Sequence, residues 1–489
     1  MERTVRELEK VRAAQDPDAV HDLRVAIRRC RSVAAVMEEV DPDEAWPEMR
    51  RLGRKLFRQL GALRDIQVLG QWIQKLGPEN DAVRQVLLGT FEAKEVELRE
   101  AAAKVVAKFD QKSWRKLERG LQRRARLVPP DGLAAECLAL ERLDAAKELH
   151  LEALRSGRSE DWHRLRIGVK RFRYVVESLL PRRYEVWGDD LKLVQDLLGE
   201  VHDLDVLAQT VQELTGEAPD ELRDAWRERI TCERNQRVES YRSRSLGKTG
   251  LWRIWREGLP LGRRLASAAQ ARLRATARAL DRNPQRTAEV ARLALRLYGG
   301  LERTRATPLF GHPELRKVMR AATRLHPIGT GLDRNSPQRA ARDYLREMAV
   351  PAGWTTAEWE ILAQVVRYHR GVQPGPKHKS FARLSEPQQT AVCFLAGVLR
   401  LARALRKCGV ETPVGLLMEN SAEAILLRVP GLEDSEHAAA RLASGKYLLE
   451  SCLGRPLIVK PEPVVANVVE LPKKEVALET MAVPSEKTH

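Results

Sequence analysis

Residues 20–40 read VHDLRVAIRRCRSVAAVMEEV, and residues 162–181 read WHRLRIGVKRFRYVVESLLP. An offset of 142 places His163 on His21, Arg166 on Arg24, Lys170 on Arg28 and Arg173 on Arg31. A second pair follows in the same order: RKLFRQLGALRDIQVLGQWI (54–73) and KLVQDLLGEVHDLDVLAQTV (192–211). At an offset of 138, Arg54 meets Lys192, Gly61 meets Gly199, Asp65 meets Asp203 and Val68 meets Val206. Two matched pairs in one order imply a duplicated unit of roughly 140 residues.

Both elements read as helices, because apolar residues recur at three- and four-residue steps without strand-like alternation. At about 100° per residue, His21, Arg24, Arg28 and Arg31 share roughly 80° of one helix. Leu23, Ile27, Cys30, Ala34 and Met37 form a separate apolar stripe beside them. In the second copy, His163, Arg166, Lys170 and Arg173 form the basic row, and Leu165, Val169, Phe172, Val176 and Leu179 the apolar one. Stacked cations repel by a few tenths of a kcal/mol per pair. A solvated face would interleave Glu, which both rows omit. A multivalent anion bridging the row accounts for this, since the guanidinium fork can give a phosphate two hydrogen bonds at once. The alternative is an amphipathic surface whose arginines pair with acids of neighbouring helices, for which Asp65 and Asp203 are available.

The chain has 489 residues, 43% hydrophobic and 31% charged, which fits a globular protein of two or three domains. Lys and Arg number 85 against 68 Asp and Glu, a formal charge of +17 that calls for an anionic partner. Residues 1–250 hold 47 basic and 45 acidic side chains, residues 251–350 hold 21 and 8, and residues 351–489 hold 17 and 15. The excess thus sits in the middle, yet the ordered cation rows lie in the nearly neutral first part, and position matters more than sum. No apolar run nears the ~18 residues of a membrane span, and the N-terminus has no signal-peptide core. No P-loop or dinucleotide fingerprint occurs. The six cysteines (30, 137, 232, 393, 408 and 452) form no C-x-x-C pair and fit a reducing compartment.

The duplicated H-x-x-R-x-x-x-[RK]-x-x-R helix, followed by L-G-x-x-[RH]-D-x-x-V, resembles the CHAD (conserved histidine α-helical) domain over about residues 1–275, with repeats 1–130 and 131–275. The resemblance implies two pseudo-symmetric four-helix bundles with a basic channel between them that binds inorganic polyphosphate. By position, the contacts would be His21, Arg24, Arg28, Arg31, His163, Arg166, Lys170 and Arg173, with Arg54 and Lys192 supplementary. Arg58 faces Asp196 and Arg64 faces His202 in the alignment, so the channel departs from strict symmetry. A bare phosphate chain has no bases to stack. The scarcity of aromatics beside the rows therefore disfavours nucleic acid.

The second half offers a helical order of its own. LHPIGTGLDRNSPQRAARDYL (325–345), TAEWEILAQVVRYHRG (356–371) and VCFLAGVLRLARALRKCG (392–409) resemble the C-terminal HD-type domain of the exopolyphosphatase and guanosine-pentaphosphate phosphatase family. That implies a linker at 276–285, a helical HD-like domain at 286–410 and a small α/β lobe at 411–460, ahead of a disordered tail at 461–489. An HD phosphohydrolase needs His and Asp ligands for a metal that activates water. Here His326 is followed by Pro327, Asp333 by Arg334 and Asn335, and Arg403 stands where an aspartate belongs. The expectation is therefore a mainly all-α, cytoplasmic, non-catalytic polyphosphate binder with no cofactor, metal or membrane, able to associate with polyphosphate granules. Arg367, His369 and Arg370 are expected as secondary anion contacts, and the HD-like half as the site for a protein partner. The competing reading is a metal-dependent phosphohydrolase acting on polyphosphate or a nucleotide.

Overall fold

The computed structural model describes residues 1–13, 17–214, 219–307 and 313–463. The first repeat consists of α1 (Glu2–Ala13), α2 (Pro17–Met37), α3 (Ala45–Leu52), α4 (Arg54–Leu76), α5 (Ala82–Ala107) and α6 (Gln111–Ala125). The second consists of α7 (Leu133–Ser156), α8 (Ser159–Leu179), α9 (Pro181–Leu214), α10 (Asp220–Ser245) and α11 (Leu251–Glu257). In each, four long helices make a bundle: α1, α2, α4 and α5, then α7 to α10. The apolar stripes set their rotation. Leu23, Ile27, Ala34 and Met37 are buried in α2, and Leu165, Val169, Phe172, Val176 and Leu179 in α8.

The bundles meet through a self-matched apolar seam. Ile66, Leu69 and Ile73 of α4 pack in one cluster with Leu204, Leu207 and Val211 of α9, which are their own partners at the offset of 138. One patch therefore packs against its own duplicate, as in a two-fold dimer. Asp81, which caps α5 by accepting from the Arg84 N–H at 3.0 Å, also accepts from Trp226 Nε1 of α10 at 3.1 Å. The cap that starts one helix thus ties the two bundles together.

A third element of the repeat emerges in the short helices. Trp114, Gly120 and Leu121 of α6 stand 138 positions before Trp252, Gly258 and Leu259 at α11, and both tryptophans are buried.

The C-terminal half contains α12 (Gly262–Leu280), α13 (Pro284–Arg303), α14 (Pro313–Leu325), α15 (Gly329–Leu332), α16 (Pro337–Glu347), α17 (Thr356–Tyr368), α18 (Lys379–Ala382) and α19 (Glu386–Lys407). A lobe follows with strands β1 (Leu417–Asn420) and β2 (Ile425–Pro430), helix α20 (Glu436–Leu453) and strand β3 (Leu457–Glu462). β1 pairs antiparallel with β2, and α20 crosses over so that β3 pairs parallel with β2. Ile425, Leu427 and Val429 alternate into the core, so the lobe shares one apolar cluster with the helices before it.

Two boundaries differ from expectation. The 276–285 stretch is no extended linker: residues 276–280 complete α12, a three-residue break follows, and α13 starts at Pro284. α12 packs on α7 and on α14, and Arg272 Nη2 donates to the Glu39 carbonyl at 2.6 Å, so the two halves share a packed face. The expected tail also starts late, since Pro461 and Glu462 belong to β3; from residue 464 onward it lies outside the described residues.

The L-H-x-I-G turn is held by steric necessity. A Cβ on Gly329 would lie 1.6 Å from the Pro337 carbonyl oxygen. Only glycine lets the turn after His326 pass that close to the next helix. No helix among the described residues is long and apolar enough to cross a membrane.

Candidate anion-binding site

Helices α2 and α8 approach each other between the bundles, with α4 and α9 beside them. Three cavities run together there. The middle one, of about 290 Å³, is lined by Arg24, Arg28, Arg64, Arg166 and Lys170 together with Asp65, Asp196, Glu200 and Asp203. It shares Arg28, Phe57 and Lys170 with an inner cavity of about 410 Å³, to which Arg31, Arg50, Arg142, Arg171 and Tyr174 contribute. It shares Arg24 and Arg64 with an outer cavity, also about 410 Å³, where His21 stands. The shared side chains make one groove with a continuous row of cations.

The charges of this row are poorly neutralised by the protein. Among the described residues, the side chains of Arg28, Arg64, Arg166 and Lys170 have no hydrogen-bond or ion-pair partner. Arg24 comes no nearer to Asp65 than 3.8 Å. Arg24 Nε and Arg28 Nε are buried without a partner. Burial, then Arg166, Arg28 and Arg24, push the Lys170 ammonium down to about 8. Arg28 and Lys170 each sit 5.9 Å from the Tyr174 ring centre, and Arg31 sits 5.2 Å from that of Phe57. Such cation–π contacts soften the repulsion without supplying counter-charge.

The inner cavity is the most positive stretch, because its one lining carboxylate, Glu39, is already engaged by Arg142. In the middle cavity, burial pushes the Asp203 carboxyl up to about 6, with Asp65 and Glu200 adding to it and Arg166 opposing. The acids there crowd one another and leave most of the cations that line the cavity without a close partner.

The groove takes up His21, Arg24, Arg28, Arg31, Arg166 and Lys170 and leaves out other members of the expected set. His163 turns to His202, with the two Nδ1 atoms 3.2 Å apart and ring centres at 4.5 Å. His202 occupies the place of Arg64 in the first copy, so a short ring meets His163 where a long guanidinium reaches into the groove. Arg173 is buried, its Nε 4.0 Å from Glu177. Arg54 and Lys192 are exposed at α4 and α9 and line none of the three cavities. Conversely, Arg50, Arg142 and Arg171 enter the groove unforeseen. Arg171 lay in the V-K-R-F-R run, whereas Arg50 and Arg142 come from α3 and α7, which carried no motif.

In the C-terminal half, His326, Pro327, His369, Arg370 and Arg403 line one cavity of about 400 Å³. Two of the three degraded positions, Pro327 and Arg403, therefore converge, while Asp333, Arg334 and Asn335 do not line this cavity. His326 Nδ1 donates to the Thr323 carbonyl at 3.0 Å and His369 Nδ1 to the Val366 carbonyl at 2.6 Å, so each neutral ring keeps Nε2 as its lone-pair atom. Burial, then Arg403, holds His326 down at about 3, and His369 is likewise held far below the usual imidazole range. Among the described residues no group of His, Cys, Asp and Glu is arranged to hold a metal. Arg367, expected beside His369, does not line this cavity: it is buried against the Tyr368 ring, 5.3 Å from its centre. Arg370 lies beyond the C-terminal end of α17, where the chain has left the helix, and it does line the cavity.

These features define a duplicated helical-bundle protein with a cation-lined groove, joined to a second helical unit with a basic pocket. Residues 1–212 match the CHAD domain, and residues 271–430 match domain III of the Ppx/GppA phosphatases. The chain thus joins a CHAD domain to a Ppx/GppA phosphatase domain III. The first match ends near the C-terminus of α9 and the second begins within α12. No curated protein matches the chain.

Proposed function

We propose that the protein binds inorganic polyphosphate without cleaving it, laying the polymer along the groove from His21 to Arg31 and across Arg166 and Lys170. The observation that carries this reading is the row of Arg28, Arg64, Arg166 and Lys170, whose side chains have no partner among the described residues. A phosphate chain supplies the missing charge at close, regular spacing. Single-stranded nucleic acid would need open aromatic faces. The two aromatics of the groove, Phe57 and Tyr174, already carry cations over their rings. In the same proposal Arg403 in the degraded pocket repels a divalent ion, and the C-terminal half extends the anionic-ligand surface or recruits a protein partner. Association with cytoplasmic polyphosphate granules would follow from the same chemistry.

A competition titration tests this. Long-chain polyphosphate should bind tightly, and RNA at equal phosphate concentration should displace it poorly. Equal displacement by RNA would favour a general nucleic-acid binder. Stoichiometric Mn²⁺ uptake with phosphate release would establish a phosphohydrolase instead.

The proposal also fixes a pH dependence. Lys170 sits at about 8 in the free protein against its ordinary 10.5, and a phosphate beside it restores the higher value. Binding then takes up a proton, so affinity should fall roughly thirtyfold between pH 7 and 9.5. The stability of the free protein runs the other way. A depressed lysine favours folding above its ordinary value, and that contribution is lost as pH falls towards 8. Lys170→Arg should flatten the affinity profile, because arginine stays charged throughout. An unchanged slope in that variant would rule out Lys170 as its origin.

A further inference from the structure

We infer that Cys393 and Cys452 form a redox site, a reversible disulfide that locks α20 of the small lobe onto α19. Neither residue lines the groove or the basic pocket.

Two glycines bring α19 and α20 to backbone contact. A Cβ on Gly397 would lie 2.9 Å from the Leu449 Cα, and one on Gly445 would lie 2.5 Å from the Ala404 Cβ. Gly397 thus meets Leu449 and Ala404 meets Gly445, so the helices run antiparallel in a fixed register. One turn before Gly397 stands Cys393, and three positions after Leu449 stands Cys452. The same register therefore sets the two thiols opposite each other. Both pack against the same apolar cluster, and both keep partial exposure. The Cys452 thiol donates a hydrogen bond to the Cys393 sulfur. A disulfide needs Cα atoms about 4.4–6.8 Å apart. Helix axes ordinarily lie about 8–10 Å apart, and the glycine crossing narrows that gap. The other cysteines keep different company. Cys30 lies 3.6 Å from Thr4 Oγ1, Cys137 donates to Glu141 at 3.4 Å, Cys232 accepts from Gln236 at 3.8 Å, and Cys408 donates to the Ala438 carbonyl at 3.9 Å.

The hydrogen bond also divides the roles. It holds the Cys393 thiol below the ordinary thiol range and, with burial, the Cys452 thiol above it. The thiolate is the attacking species in disulfide exchange. With a low-molecular-weight disulfide as oxidant, the Cys393 thiolate attacks one of its sulfurs. One small thiol leaves, taking up the proton that Cys393 gave. Cys452 then loses its proton and attacks the Cys393 sulfur of the mixed disulfide, and the second small thiol leaves with that proton. Two cysteine sulfurs are oxidised, and one small disulfide is reduced to two thiols. Excess thiol reverses both steps, so the bond is a switch suited to a reducing compartment. The two positions stand 59 apart in the chain, and β1, β2 and most of α20 lie between them. Closing that loop restrains the unfolded chain and ties the lobe to the helices before it.

The test equilibrates the full chain with glutathione buffers of rising oxidised fraction. Free thiols are alkylated with a maleimide, and cross-links are mapped by peptide mass spectrometry. Cys393 and Cys452 should lose their thiols together and appear as one cross-link within a single chain, and dithiothreitol should restore both. The oxidised protein should melt roughly 5–10 °C above the reduced one. Cys452→Ser should instead hold one glutathione on Cys393, and Cys393→Ala should abolish the melting shift. If either variant fails to fold, the thiol count and cross-link map of the wild type decide alone. The site would be overturned if both thiols stayed free in a buffer that glutathionylates the exposed Cys232, or if either cysteine formed a disulfide with a different one.

Discussion

Arg28→Glu combined with Lys170→Glu should lower affinity for long-chain polyphosphate by roughly a thousandfold while leaving the ligand-free protein as stable as wild type or more so. The two side chains belong to opposite repeats and are shared by the middle and inner cavities, so any polymer that runs along the groove must pass both. A hydrogen bond to a charged group contributes about 1.5–3 kcal/mol. Losing two, at a decade of affinity per 1.4 kcal/mol, gives about two to four decades. Reversal adds repulsion of the incoming phosphate.

Stability should move the other way. Lys170 is penalised by burial and by Arg166, Arg28 and Arg24, and Arg28 Nε is buried without a partner. A carboxylate among Arg24, Arg64 and Arg166 relieves that strain. Paired titrations and thermal melts therefore separate binding from architecture. Wild-type affinity in the double variant would show that the polymer lies elsewhere. A collapsed melting temperature would show that the two cations support the fold. Arg28→Met with Lys170→Met should fall between, since the repulsion is absent.

Which parts of this site could be read from the sequence follows from the period of its helices. A helix that buries Leu165, Val169 and Phe172 has only one direction left for Arg166 and Lys170, so local periodicity fixed the phase of the rows. The duplication then placed one row opposite the other. What periodicity cannot give is the length and company of a side chain in three dimensions. Arg50 and Arg142 arrive from α3 and α7 through packing alone, and His163 is diverted by the neighbouring His202. Arg54 and Lys192 match by alignment and are both exposed, yet both stay outside the groove, because equivalence in a repeat carries over exposure but not a place in the site. The third repeat element was present as W-R-x-x-x-x-G-L at 114–121 and 252–259. α11, at seven residues, is too short for apolar periodicity to announce it, so the match between the two copies shows only when the W-R and G-L pairs are aligned. In the C-terminal half, the loss of metal ligands at Pro327 and Arg403 was visible as substitutions. Only folding shows that Arg282, Arg286 and Lys407 gather around the same point.

Raising salt from about 50 to about 200 mM should weaken long-chain binding by a few hundredfold. A single-stranded polyanion releases about 0.7 condensed counterions per phosphate neutralised. Of the cations that line the proposed path, six are counted as phosphate contacts: Arg24, Arg28, Arg31, Arg64, Arg166 and Lys170. Together they predict a slope near −4 for log affinity against log salt, and a fourfold rise in salt then costs about 250-fold. Arg28→Met should reduce the slope by about 0.7, because one fewer phosphate is neutralised. A slope near zero would mean that the row does not hold the polymer, whatever its affinity. Tripolyphosphate provides the internal contrast. Too short to condense a counterion atmosphere, it should show a much shallower dependence on the same protein. The salt slope thus reports the length of the ligand: steep where a polymer exchanges its counterions for a row of arginines, shallow where a short anion has no such atmosphere to release.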